Sequence, residues 1–187
     1  MGSYITFGIV CDKKIGKERF LNNIFNIIVN NKEYITNLYF KYPLDENCEY
    51  WQESQESILN LRNILEKCFE LDLAELKFDY IKEDKIYSDI LLSIKHVEND
   101  SYGLLCSIPE RYFEYSKGIN NIELKIEEAL INLMKYGFDY IFCDNESDIS
   151  YPIKRVYKEN LYSILITKKD KEIRHANWKI DGLSLRN

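Results

Sequence analysis

Glycine, proline and histidine are scarce in this 187-residue chain, with seven, three and two copies respectively. The scattered glycines form neither GxGxxG nor GxSxG, which excludes a dinucleotide loop and the strained nucleophile elbow. Gly16-Lys17 ends no phosphate loop, because Cys11 stands where the opening glycine belongs and Glu18 follows the lysine. Two histidines, His96 and His175, with no CxxC, supply no local ligand set for structural zinc. Asp144, Glu146 and Asp148 start like a calcium loop, but Ile149 replaces its glycine and Arg155 its bidentate glutamate. No cofactor or metal is expected. No apolar run approaches the roughly eighteen residues of a membrane span, so no membrane partner is expected. The N-terminal MGSYITFGIVCDKK lacks the basic region and cleavage site of a secretory signal. Cys11, Cys48, Cys68, Cys106 and Cys143 are odd in number and widely spaced, which fits reduced thiols and a cytoplasmic location.

What is abundant is acid and aromatic surface. The net charge is −6, with fifteen tyrosines and nine phenylalanines. From Lys154 onward nine basic residues face four acidic ones, a balance of +5, so residues 1–153 carry −11. An acidic body opposes general nucleic-acid binding, which needs clustered cations, and suits a basic protein partner by long-range steering. A hydrophobic share of 45% places the chain among folded proteins, and its length fits a single globular domain, residues 1–187.

The firmest element is a helix after Asn120 or Asn121, either of which can cap it. Ile122, Ile126, Ala129, Leu130, Leu133 and Met134 recur at helical spacing. Glu123, Lys125, Glu127, Glu128, Asn132 and Lys135 fill the opposite, wet face. Gly137 suits the left-handed residue that closes such a helix. FDYIFC then reads as a strand. Earlier, strands are predicted at Ser3–Cys11, Glu33–Tyr42, Glu75–Lys82, Tyr87–Val97 and Tyr102–Ile108, with Asn99-Asp100-Ser101 turning between the last two. Helices are predicted at Lys17–Asn30 and from the end of the DENCEYWQESQE run to about Glu70. There Glu53 and Glu56 would sit near the positive end of the helix dipole. LYSILITKKDKEIRHANWKI reads as a terminal hairpin. The expected class is α+β: a mixed or mostly antiparallel sheet packed against about three amphipathic helices, with a C-terminal β-hairpin.

Two chemistries compete with protein binding. A cysteine-dependent hydrolase or transferase would use Cys143, at a strand end, with His96 or His175 as base. Asp144 beside it works against thiolate formation. A nucleic-acid-binding module would use Lys154, Arg155, Lys158, Lys168, Lys169, Lys171, Arg174 and Lys179, interleaved with Tyr157, Tyr162 and Trp178. A solvated hairpin face accounts for those cations as well, and no direct contact with nucleic acid is expected.

YITFGIV at the N-terminus, YWQESQE before the second helix and the late FDYIFCDNE, in an acidic tyrosine-rich α+β chain, resemble the immunity proteins of bacterial polymorphic-toxin systems. The resemblance implies a non-catalytic protein that binds a cognate toxin and blocks it. It carries over no contact residue. The residues themselves point to Asp45, Glu46, Glu49, Tyr50, Trp51, Glu53 and Glu56 as the partner-binding set. Five acids with no base would steer a basic toxin surface, and two aromatic rings would hold it. Self-association is left open.

Overall fold

The computed structural model describes residues 4–71, 73–97, 101–114, 122–178 and 180. Its strands are β1 (Tyr4–Asp12), β2 (Ile35–Pro43), β3 (Trp51–Gln55), β4 (Glu75–Lys82), β5 (Lys85–Val97), β6 (Ser101–Pro109), β7 (Tyr140–Asn145), β8 (Ile164–Thr167) and β9 (Ile173–His175). Its α-helices are α1 (Lys17–Val29), α2 (Leu61–Glu70), α3 (Arg111–Glu114), α4 (Ile122–Leu133) and α5 (Ile153–Val156). The chain divides into two compact units, Ile15–Lys95, and Met1–Lys14 with His96–Asn187.

In the unit Ile15–Lys95 the strand order is β3-β2-β4-β5, antiparallel throughout. Alternation decides its two faces. Leu38, Phe40, Leu76, Phe78, Ile90 and Leu92 are buried on one side. Phe20, Leu21, Ile24 and Ile28 of α1 are buried with Leu61, Ile64, Leu65 and Cys68 of α2, and α2 packs on both α1 and β4. The other face carries Lys41, Glu53, Glu75 and Lys77, as the register shows. This is the polar-out pattern of an antiparallel sheet wetted on one side.

In the other unit β1 lies between β6 and β7, and the order β6-β1-β7-β8-β9 is again antiparallel. All of Tyr140–Asp144 is buried. One face of these strands holds Val10, Leu105, Tyr140, Phe142 and Leu165, packed with Ile149, Val156 and Tyr162. The opposite face, with Ile141, Cys143 and Ile164, lies on the side of β7 and β8 against which α4 packs. Gly137 closes the short 3-10 turn after α4 at φ 83°, the left-handed cap its sequence suggests. β8 and β9 form the expected terminal hairpin.

The α+β class therefore holds, with two corrections. Nine strands outweigh the helices among the described residues. Those residues also hold five α-helices rather than about three, two of them four-residue turns. The α4 stripe is narrower than its spacing suggests, because Ile126 and Leu130 are buried but Ala129 is exposed. Residue 51 onward is strand β3 rather than a helix approach, and Ser57 caps the turn ahead of α2 by accepting from the Leu59 N–H. Asn120, Asn121 and most of the Asn99-Asp100-Ser101 turn lie outside the described residues.

Candidate functional site

β2 and β3 form a hairpin whose loop collects most of the acidic run. Asp45 organises it, its carboxylate accepting from the Tyr50 N–H at 2.8 Å and the Glu49 N–H at 3.2 Å. Those backbone donors, Tyr50 first, hold the Asp45 carboxyl below its ordinary range. Asp45 is thus committed to shaping the loop. The Leu44 N–H donates to the Tyr50 carbonyl at 2.8 Å, closing the hairpin neck. Glu46 and Glu49 are exposed, and no ion pair among the described residues includes either.

The aromatic pair is presented differently by its two members. Tyr50 is 68% exposed and Trp51 39%. The Trp51 indole N–H donates to the Cys48 carbonyl at 2.9 Å, and Lys41 Nζ stands 4.9 Å from its ring centroid. That cation also lies 3.6 Å from Glu75 and directly across the ladder from Glu53. Trp51 is therefore oriented by its own loop and a lysine, which lowers the entropy lost when a partner covers it. Glu56 accepts from the Ser54 hydroxyl at 2.9 Å, and its backbone N–H donates to Leu38.

The structure thus brings Asp45, Glu46, Glu49, Tyr50, Trp51, Glu53 and Glu56 onto one hairpin. It removes the helix-dipole role assigned to Glu53 and Glu56, since Glu53 is mid-strand in β3 and a 3-10 turn separates Glu56 from α2. Lys41, Leu44 and the backbone of β3 were missed. Trp51-Gln52-Glu53-Ser54-Gln55 has no apolar alternation, because neither of its faces is buried in core. The signal that could have exposed the hairpin is the turn-forming Asp45-Glu46-Asn47 between two aromatic segments.

The competing sites do not assemble. Cys143 is fully buried. Burial first, then Asp144, Cys106 and Glu123, push its thiol well up, opposite to a nucleophile. No imidazole is among those influences. His96 is exposed and meets Tyr102 edge-on, with ring centroids 5.7 Å apart. His175 Nε2 lies 2.8 Å from Glu127 Oε1, which corrects the placement of Glu127 on a wet face. Glu123 joins them, its ligand atom within 4.8 Å of theirs, so this trio is the one set among the described residues that could hold a metal. The His175–Glu127 pair already accounts for two of its members as a tie between β9 and α4.

The basic segment does not form one surface: Lys168 and Lys171 line a groove with Lys135, while other members are engaged elsewhere. Arg155 pairs with Glu159 and Arg174 with Asp170, while Tyr162 is core. The Trp178 indole N–H donates to the buried Asp144 at 3.1 Å, which ties this half-exposed ring to β7. Lys154 lines a groove of about 470 Å³ beside Asp12, Asp139 and Tyr157, a mixed-charge lining. Lys179 lies outside the described residues. No helix among the described residues is long and apolar enough to cross a membrane.

Among known structures the chain is similar to the Pseudomonas aeruginosa T6SS protein PA0821, with a TM-score of 0.39 and 12% sequence identity. The alignment covers 77% of this chain and 41% of that one, so this chain spans well under half of its length. No curated protein matches. The family model described as immunity protein 64 matches residues 1–186. The chain belongs to the immunity protein 64 family.

Proposed function

We propose that this chain binds a cognate bacterial toxin domain in the cytoplasm and neutralises it by occupancy, without catalysing a reaction. The β2–β3 hairpin is the contact element and the toxin presents a basic surface to it. One observation carries the reading. In a chain of the immunity protein 64 family, an exposed acidic loop and two exposed aromatic rings share one hairpin. Acids at the rim raise the encounter rate, and an aromatic ring desolvated in a partner's pocket slows dissociation. The buried, protonated Cys143 and the engaged His175 support inhibition by contact over chemistry.

The test is co-expression of the chain with the protein encoded by the gene beside its own, followed by capture at low and high salt. A stoichiometric complex and restored growth are expected, with capture weaker at high salt. Neither protection nor a complex with that protein present would contradict the immunity role.

A further inference from the structure

Among the described residues β3 ends the strand order of its unit and pairs only with β2. Its backbone orientation follows from two hydrogen bonds. The Leu44 N–H donates to Tyr50 and the Glu56 N–H to Leu38, both at 2.8 Å. In an antiparallel ladder hydrogen-bonded pairs alternate with non-bonded ones. The register Tyr42↔Gln52 and Phe40↔Ser54 continues the bonded series, so Gln52 and Ser54 face β2. The N–H and C=O groups of Trp51, Glu53 and Gln55 therefore point away from the sheet. Pro43, which has no N–H, lies opposite Trp51, at a position where the ladder needs none. At this edge, among the described residues, the Glu53 carbonyl meets only the Gln52 side-chain amide, at 3.5 Å, a weak contact.

An exposed edge of this kind is a template for another strand. A second copy is a poor occupant. The two-fold register that uses all three outward residues sets Glu53 against Glu53 of the other copy, and like charges directly opposite destabilise the pair. The same charge favours a cation. Glu49 lies just before the strand and Glu56 just after it, so an added strand runs along an acidic margin, with Trp51 exposed at one end.

Resting on the immunity reading above, we infer that the toxin docks by adding an extended, lysine- or arginine-bearing segment to the outer edge of β3. Backbone bonds to Trp51, Glu53 and Gln55 supply the geometry, and Glu53, Glu49 and Glu56 select a basic strand.

The probe is the purified protein encoded by the gene beside this one, titrated into the full-length chain. Glu53→Pro deletes an outward N–H without touching the β2 ladder, and Glu53→Gln changes the charge alone. Glu53→Pro is expected to weaken binding about 100-fold and Glu53→Gln no more than about tenfold. Equal affinities for the two variants would overturn edge addition. Amide exchange on the unmutated complex removes any dependence on the fold of the proline variant. Protection of the Glu53 and Gln55 amides on binding is expected, and unchanged exchange at both would overturn the inference. Unchanged exchange with affinity lost on charge reversal would leave the acidic patch standing and remove only the added strand. Failure of the parent chain to bind would overturn the immunity reading and this inference together.

Discussion

Phe142 lies flat on Tyr162, with ring centroids 3.7 Å apart and planes within 8°. Gly8, across the ladder from Phe142, leaves the room, because a Cβ there would collide with the Phe142 ring. Gly8→Ala is expected to cost about 1–3 kcal/mol by overpacking, measured by urea unfolding. A neutral result would contradict the tight contact. The buried thiols make a second prediction. Burial is the leading cause that pushes Cys11 and Cys68 up to about 12, against an ordinary 9.0. Above pH 9 the unfolded chain releases protons that the folded chain keeps, so stability falls as pH rises through that point. The buried hydroxyls of Tyr140 and Tyr162 act in the same direction above pH 10. The urea midpoint should drop between pH 8 and pH 10.5, and a constant midpoint would contradict the burial of these groups. Composition shows a heavy tyrosine load but does not tell core from surface. Tyr162 lies between Lys158 and Lys168 of the basic C-terminal segment yet is core, while Tyr50 is exposed, because three-dimensional neighbours decide burial.

α4 and β3 show what local pattern can and cannot reveal. Ile126 and Leu130 are buried where helical spacing places them, and truncating either to alanine should cost about 2–5 kcal/mol in urea melts. Ala129 lies on the wet side, so Ala129→Lys should change stability by under about 0.5 kcal/mol. The reverse ranking would mean the helix is rotated. Apolar spacing located α1 and α4 closely because each buries one face, and burial selects apolar residues at a fixed period. β7, buried on both faces, was legible instead from its aromatic and β-branched run. β3 buries none, so its residues obey no such selection and its strand character comes from pairing with β2 alone. The acidic, aromatic composition of the candidate site was therefore legible, while its backbone edge was not.

At the scale of the molecule, each compact unit holds one tryptophan, Trp51 in Ile15–Lys95 and Trp178 in the other. We propose that the two units unfold as one cooperative domain. Single-tryptophan variants, Trp51→Phe and Trp178→Phe, should then report coincident urea transitions, and separated midpoints would contradict a single domain. The charge distribution is likewise a whole-chain property, −11 over residues 1–153 against +5 beyond. It favours long-range attraction to a basic partner, with the hairpin supplying its local focus.

The measurement that bears most directly on binding through this hairpin is the association rate with the toxin domain across a salt series. It is made for the parent chain and for the Glu49→Lys, Glu53→Lys, Glu56→Lys triple variant. The parent rate should fall steeply with added salt, and the variant should associate at least about tenfold more slowly at low salt, with a flatter dependence. Equal rates and equal salt slopes, with tight binding retained, would contradict the assignment of the toxin contact to the β2–β3 hairpin.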